Sequence, residues 1–307
     1  MISRRNIRVK VMQTLYTVGA VEHSLKPGEE RRILEKHLDE SRELFIYLLY
    51  FVTEVARYAE TDARLRASKH LPTPEDLSVN TKISGNTLLK TILDHPSFRE
   101  AVQKDKPHLI EDAEWVRKIY QRLTDAPTYQ EYIRHPDRDP QAEKEILEYL
   151  VTDIMLPDED FLNFLEEQFV HWDDDAEMMN LLLLNFLQKP RAYQFQEFLG
   201  KEKARFAGDL LDTVLQKDAQ LAELIAPRLQ NWDAERIAVL DMILMKMGVA
   251  ELLYFDTIPT KVTINEYIDL AKEYSTAQSG QFVNGILDSI HKDLVQQDRI
   301  HKTSHKN

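Results

Sequence analysis

The chain contains no cysteine and few glycines. Among its 307 residues there is no cysteine and there are only 8 glycines. Without cysteine there can be no disulfide framework, no thiolate metal site and no cysteine nucleophile. Average glycine usage is about 7%, so this chain has little material for the tight turns of β-sandwiches, dinucleotide-binding folds or phosphate-binding loops. These absences favour an all-α protein that holds no metal and no cofactor.

Long apolar runs are also absent from the sequence. No run approaches the roughly 18 apolar residues that a membrane-spanning helix requires. The first 20 residues carry four basic residues, and they lack an uninterrupted apolar stretch followed by a small-residue cleavage site. They therefore do not have the pattern of a secretory signal. We expect a cytoplasmic protein without membrane contact.

Apolar residues recur at a spacing near 3.6 along most of the chain, which predicts amphipathic helices. No alternating stretch bounded by Asn-Gly or Asp-Gly indicates a β-hairpin. Prolines fall near the predicted helix boundaries, where a missing N–H is tolerated. The predicted helices are 3–18, 29–68, 84–94, 108–124, 141–155, 158–170, 174–188, 202–216, 218–230, 233–254, 263–274 and 280–296.

The net charge of −13 argues against a polyanionic partner, but the charge is unevenly distributed. Residues 1–71 hold 13 Lys/Arg and 10 Asp/Glu, residues 72–227 hold 17 and 31, and residues 228–307 hold 9 and 11. Four basic residues and no acid lie within the first 20 residues. A local basic site is therefore compatible with an acidic chain.

Two helix starts near the C-terminus carry recognisable local patterns. Thr263 and Glu266 have the spacing of a capping box, which predicts a helix start there. An uncharged loop, residues 275–281, precedes a helix whose apolar face contains Val283. Phe282 lies in the first turn of that helix, where it either packs as a hydrophobic staple or exposes a ring for stacking.

These motifs, taken together, resemble the NusB family of bacterial transcription antitermination factors. The resemblance is carried by R-R-N-I-R-V-K-V-M-Q-T-L-Y at 4–16, W-D-x-x-R at 232–236, A-E-L at 250–252, I-P-x-K-V-T-I-N-E-Y-I-D-L-A-K at 258–272 and F-V-N-G-I-L-D at 282–288. The compact family pattern lacks the acidic middle of this chain. The layout therefore resembles the long NusB form of Bacteroidetes-type bacteria.

The resemblance implies an all-α fold in which both chain ends build one NusB-like helical bundle. A weak internal repeat in the middle of the chain, with a period of 60 between Trp172 and Trp232, predicts that the insertion consists of stacked helical hairpins. We assign residues 1–71 to the N-terminal part of the bundle, 72–227 to the acidic insertion, 228–298 to the C-terminal part and 299–307 to a polar tail. The sequence L-P-T-P at 71–74 marks the first boundary. The insertion either contacts a basic protein or serves as a solubilising extension.

The resemblance also implies a boxA-type RNA ligand, a heterodimer with NusE, which is a small-subunit ribosomal protein, and an indirect link to transcribing RNA polymerase. Guanidinium groups beside aromatic rings are the combination that binds single-stranded RNA. A solvated basic arm is the alternative for the N-terminal segment. The candidate RNA contacts are Arg4, Arg5, Arg8, Lys10, Tyr16, Gln278 and Phe282, and the candidate partner contact is Glu251.

Catalysis and metal binding are not expected from the sequence. The acids at 173–175 are typical of a helix start, and His301 and His305 lie in a polar tail without a third ligand. RNA methyltransferases with NusB-like domains need a glycine-rich loop and a cysteine nucleophile, which this chain lacks. The remaining alternative is a non-catalytic helical scaffold that binds proteins and not RNA. A steep salt dependence of RNA binding would separate the two.

Overall fold

The computed structural model describes residues 2–21, 25–195, 198–229 and 237–303. In these ranges the secondary structure is helical, with no strand, which confirms the all-α prediction. The helices are α1 Arg4–Ala20, α2 Glu29–Ala67, α3 Pro74–Leu77, α4 Thr87–Leu93, α5 Pro96–Asp105, α6 Ala113–Asp125, α7 Pro127–Arg134, α8 Pro140–Tyr149, α9 Glu159–Gln168, α10 Trp172–Gln188, α11 Lys201–Gln216, α12 Asp218–Ile225, α13 Val239–Tyr254, α14 Thr260–Tyr274 and α15 Ser279–Gln296. None of the described helices combines the length and apolarity needed to cross a bilayer.

The chain divides into two compact units. The terminal unit comprises Ser3–Leu38 and Leu199–Asn307, and the central unit comprises Met1–Ile2 and Asp39–Phe198. One boundary therefore falls inside α2. The sequence-based division at 71 and 227 differs, because residues 39–71 belong to the central unit and residues 199–227 to the terminal unit. The assignment of 72–227 as inserted sequence stays a prediction.

In the terminal unit, helices from the two ends of the chain pack together. Helix α1 contacts α11 and α13, and α13, α14 and α15 contact one another. Gly248 on α13 permits a close approach, because a Cβ there would lie 3.0 Å from the side chain of Leu287. Burial of each large apolar side chain contributes roughly 1.5–3 kcal/mol. The prediction that the chain ends pack together is confirmed for residues 3–38.

The central unit has a core rich in aromatic rings. Phe45 on α2 stacks on Phe195 at a centroid distance of 5.7 Å and meets Phe186 edge to face at 6.2 Å. Phe51, further along α2, stacks on Phe161 of α9 at 4.6 Å. Such ring pairs add about 0.5–1.5 kcal/mol beyond their burial. The part of α2 that belongs to the central unit therefore supplies aromatic rings to the middle of this core.

Three helices were not predicted from the sequence, and each begins with proline. The helices α3, α5 and α7 begin at Pro74, Pro96 and Pro127. Helix α8, which was predicted, also begins at a proline, Pro140. Proline is favoured at the first helical position because the missing N–H has no intrahelical acceptor there and the fixed φ suits a helix. The prolines lie at helix boundaries as predicted, but the segments that form α3, α5 and α7 were predicted to lie between helices, and that prediction was wrong.

Candidate functional site

Helix α1 of the terminal unit begins at the N-terminal arginines. Ser3 is the N-cap, and its Oγ accepts a hydrogen bond from the backbone N–H of Asn6 at 3.1 Å. The first turn contains Arg4 and Arg5 and no acidic residue. Positive charge at a helix N-terminus opposes the helix dipole. The arginines therefore gain nothing from their helical position and need another source of stabilisation.

One turn later, Arg8 forms a buried bidentate ion pair. Its Nη2 and Nε donate to Glu251 Oε1 and Oε2 of α13 at 2.7 and 2.9 Å, and its Nη1 donates to Glu266 Oε2 of α14 at 3.2 Å. Thr263 Oγ1 and the Tyr267 hydroxyl also donate to the Glu251 carboxylate, at 2.8 and 3.1 Å. The side chains of Arg8 and Glu251 are 2% and 0% exposed. This network fixes α1 against α13 and α14.

The charges in this network are well compensated. Burial opposes the positive charge of Arg8, but the hydrogen bonds that Arg8 donates to Glu251 and the nearby charges raise the pKa of Arg8 above its ordinary value. Burial, followed by the charge of Glu251, raises the pKa of Tyr267 well above its ordinary value. At neutral pH Arg8 is therefore a cation and Tyr267 a neutral donor. Removal of one member of such a pair costs about 3–5 kcal/mol, because the other charge stays buried.

Three of the candidate site residues are buried, which corrects the expectation that they face a ligand. Arg8 and Glu251 are occupied by each other, and the Lys10 side chain is 0% exposed. The buried face of α1 is broader than the stripe expected from the helical wheel, because α1 lies against both α11 and α13. These three side chains therefore lie in the packed interior around α1 and are not exposed to a ligand.

The predicted capping box at Thr263 was also wrong. Helix α14 begins at Thr260 with Pro259 as its N-cap, and no side chain caps it. Thr263 thus lies in the first full turn, where its hydroxyl donates to Glu251 rather than capping the backbone. Glu266 contacts Arg8.

Three candidate residues of α1 reach the surface. The side chains of Arg4 and Arg5 are 40% and 37% exposed, and Tyr16 is half exposed. Each arginine contacts a carboxylate. Arg4 Nη2 lies 2.7 Å from Glu202 Oε1 of α11, and Arg5 Nη2 lies 2.5 Å from Glu273 Oε2 of α14. These surface ion pairs leave part of each guanidinium open to solvent.

The loop between α14 and α15 presents the other two candidates. Gln278 is exposed, and Phe282 is half-buried in the first turn of α15. Ser279 Oγ donates to Asp241 Oδ2 of α13 at 2.8 Å and accepts from the backbone N–H of Thr276 at 3.2 Å. These bonds anchor the loop to the bundle. Glu273 lies in the last turn of α14, immediately before this loop. Its ion pair therefore places Arg5 at the C-terminal end of α14, where the loop begins.

Several residues of this region were missed by sequence reasoning. Glu202 and Glu273 pair with the arginines, and their partners lie 198 and 268 residues away in the chain. Lys302, assigned to a polar tail, donates from Nζ to the backbone oxygens of Glu251 and Phe255 at 2.9 and 2.8 Å. Local patterns carry no signal for such distant contacts. The W-D-x-x-R motif at 232–236 and His305 lie outside the described residues.

Comparison with known proteins matches residues 170–292 to the model of the NusB family. The NusB antitermination protein of Chloroherpeton thalassium is 40% identical over 98 residues, that of Salinibacter ruber is 43% identical over 98, and that of Desulfatibacillum aliphaticivorans is 37% identical over 102. These matches cover 32%, 32% and 33% of this chain. They span 46%, 61% and 71% of the respective relatives.

Among solved structures, T. maritima NusB in its P3121 crystal form matches 43% of this chain and 85% of its own at 30% identity, with a TM-score of 0.30. The family match extends to residue 170, well inside the stretch assigned to the insertion. It does not include residues 4–16, whose resemblance to the opening helix of the family stays a prediction.

Proposed function

Because this chain belongs to the NusB family, we propose that it acts as a transcription antitermination factor without catalytic activity. Its terminal unit binds boxA-type single-stranded RNA and pairs with NusE, and through that complex it supports transcription of rRNA operons by RNA polymerase. The names of its relatives support antitermination as the general role. The geometry of α1 and the α14–α15 loop supports RNA as the ligand.

The observation that carries this proposal is the contact between Arg5 and Glu273. It joins the N-terminal helix to the end of α14, from which the loop containing Gln278 leads to Phe282. The loop, residues 275–278, contains no acid. This contact supports a site in which the cationic start of α1 lies near the neutral loop and the first turn of α15. This is the chemistry that single-stranded RNA requires.

We propose that Arg4 and Arg5 contact phosphates, while Tyr16 and Phe282 offer rings to bases. Arg5 and Tyr16 are eleven residues apart, so they return to nearly the same face of α1 about 16 Å apart along its axis. A strand of RNA lying along this face can reach both. Each stacked base contributes roughly 1–3 kcal/mol. Gln278, exposed in the loop, can donate and accept hydrogen bonds at a base edge or phosphate.

In this scheme Arg8 and Glu251 are positioning residues. Their bidentate contact fixes the rotation of α1 on α13, and that rotation determines which side chains of α1 face solvent. A rigid helix held by a buried pair keeps Arg4, Arg5 and Tyr16 in a defined arrangement before RNA arrives. Binding then requires little ordering of the protein backbone, which preserves affinity.

The test measures the affinity for a boxA-like RNA by fluorescence anisotropy across a series of salt concentrations. Arg4→Ala and Arg5→Ala should each weaken binding and reduce the salt slope by about one unit, because each removes one phosphate contact. Phe282→Ala should weaken binding with little change in slope, since stacking releases no counterions. Gln278→Glu should weaken binding by placing a negative charge near phosphates.

Arg32→Ala is the matched control, because Arg32 is an exposed arginine of the same unit on α2. It should leave the salt slope unchanged. Addition of NusE should tighten RNA binding by the parent chain. If the parent chain binds boxA-like RNA no better than an unrelated RNA of equal length, or if the arginine variants bind as tightly as the parent, the RNA-binding proposal fails and a protein-binding scaffold remains.

A further inference from the structure

The central unit contains a cleft of about 760 Å³ that the family match does not include. It lies between the outer face of α2, from Tyr50 to Arg64, and the segment from His108 to Val116 that leads into α6. All of the lining residues belong to the central unit, and all precede residue 170, where the match to the NusB family begins. The proposed RNA-binding face therefore does not account for this cleft.

The lining of the cleft is rich in carboxylates. Five acidic side chains line it against two arginines, Arg57 and Arg64, and these acids are Glu54, Glu60, Glu111, Asp112 and Glu114. Two of the five are paired locally, because Arg57 Nη1 lies 3.2 Å from Glu54 Oε1 and Lys118 Nζ lies 2.9 Å from Glu114 Oε1. In the described part of the chain, Glu60 and Glu111 are exposed and have no ion-pair partner. The cleft therefore carries excess negative charge.

Asp112 is half-buried, so its charge is incompletely solvated. The Tyr47 hydroxyl donates to its Oδ2 at 3.1 Å, and no cation contacts it among the described residues. Burial raises the pKa of Asp112 above its ordinary value. A carboxylate in this environment is stabilised by any cation that enters, because the local dielectric is lower than that of water.

Aromatic rings lie beside these carboxylates. Tyr50 and Tyr58, two turns apart on α2, both line the cleft and are half-buried. A guanidinium group can stack on an aromatic face while it donates to a carboxylate, and arginine does this better than lysine because its planar group is weakly hydrated. The combination distinguishes this cleft from a uniformly solvated acidic surface.

We propose that this cleft binds an arginine-rich segment of a partner protein. Nucleic acid does not fit, because phosphates are repelled by the excess of carboxylates. The net charge of the central unit, with 18 Lys/Arg and 32 Asp/Glu, attracts a basic protein during diffusional approach. Within the cleft, arginine side chains are favoured because a guanidinium can donate to a carboxylate and stack on a tyrosine ring at the same time. This function is additional to the RNA binding of the terminal unit and does not depend on it.

The experiment uses the full chain and fluorescein-labelled hexa-arginine, hexa-lysine and neutral Gly-Ser peptides in anisotropy titrations at low and physiological salt. Hexa-arginine should bind more tightly than hexa-lysine, and the neutral peptide should not bind. The double variant Glu60→Gln/Glu111→Gln should weaken hexa-arginine binding by about two- to thirtyfold, because it removes two exposed ion pairs with the peptide. Tyr58→Leu should reduce the preference for arginine over lysine by about two- to fivefold.

The matched control is Glu145→Gln/Glu167→Gln, which removes the same charge from exposed positions of the central unit outside the cleft. It should change hexa-arginine binding less than twofold. Equal weakening by the two double variants would overturn the proposal in favour of a diffuse acidic surface. Absence of peptide binding at low salt would overturn it as well. Binding of boxA-like RNA should be the same in both double variants, so this result does not depend on the proposed RNA function.

Discussion

The terminal and central units have different electrostatic characters although one chain builds both. The terminal unit holds 21 Lys/Arg and 20 Asp/Glu, a net charge of +1, whereas the central unit holds 18 and 32, a net charge of −14. The net charge of the whole chain, −13, therefore comes from the central unit and does not describe the unit that carries the arginines of α1. An acidic protein can present a nearly neutral surface to RNA when its acidity is confined to a separate unit.

Each unit nevertheless contains a buried arginine–carboxylate pair. Arg8 and Glu251 join residues 243 apart in the terminal unit. Arg42 and Asp105 join residues 63 apart in the central unit, with Nη1 and Nη2 donating to the two carboxylate oxygens at 2.6 and 3.0 Å. These matched pairs allow the two units to be perturbed separately.

The largest expected effect comes from Arg8→Ala. It leaves Glu251 charged and buried, so it should destabilise the terminal unit by about 3–5 kcal/mol. Hydrogen exchange measured peptide by peptide should show faster exchange in α1, α13 and α14 and unchanged exchange in the central unit. Arg42→Ala is the counterpart and should give the reverse pattern. Uniform destabilisation of both units by either variant would show that the units do not unfold independently.

A smaller effect is expected at the C-terminal end of α13. Lys302→Met removes a cation that donates to the backbone oxygens of Glu251, in the last turn of that helix, and of Phe255, its C-cap residue. Cations at a helix C-terminus contribute about 0.3–1 kcal/mol. Urea denaturation should reveal a loss of this size, with faster hydrogen exchange in the last turn of α13. Lys292→Met, at an exposed lysine of α15, should produce neither change.

Glu202→Gln should strengthen RNA binding. Glu202 contacts Arg4, so phosphate and carboxylate compete for one guanidinium. Exposed pairs contribute about 0.2–1 kcal/mol, which corresponds to an increase in affinity of up to about fivefold. Glu223→Gln, an equal charge change on α12 away from the arginines, is the control for general electrostatics. If both variants bind RNA with the same affinity, Glu202 does not compete with RNA.

The smallest effect should be the pH dependence contributed by Asp112. Its pKa is raised in the folded state, so folding favours its protonated form and stability falls as the pH rises through the pKa values of the unfolded and folded states. Asp112→Asn should remove this contribution and slightly stabilise the central unit at neutral pH. Thermal unfolding between pH 3 and pH 7 measures the difference. A steeper fall in the variant than in the parent would contradict the assignment.

The helices were largely predictable because amphipathic spacing is a local signal. The predicted helix at 29–68 matches α2, and that at 280–296 matches α15. The helices that begin at Pro96 and Pro127 were not predicted, because proline both ends and begins helices and the local sequence does not distinguish the two positions. Arg8 was predicted to be exposed because the buried carboxylate that neutralises it lies 243 residues away. The candidate site was thus predictable in its chain segments but not in its division between surface and core.

The discontinuity of the terminal unit has a consequence during synthesis. Its first 36 residues leave the ribosome before the 160 residues from Asp39 to Phe198, and its remaining helices follow only after those. At about 5–20 residues per second, synthesis of these 160 residues takes roughly 8–32 s, so α11 begins to emerge at least that long after α1, and α13 later still. During that interval α1 lacks its contacts with α11 and α13, while the central unit can already assemble. Nascent chains stalled once residue 198 has left the ribosome exit tunnel should therefore show a protease-resistant central unit and an α1 that is open to cleavage.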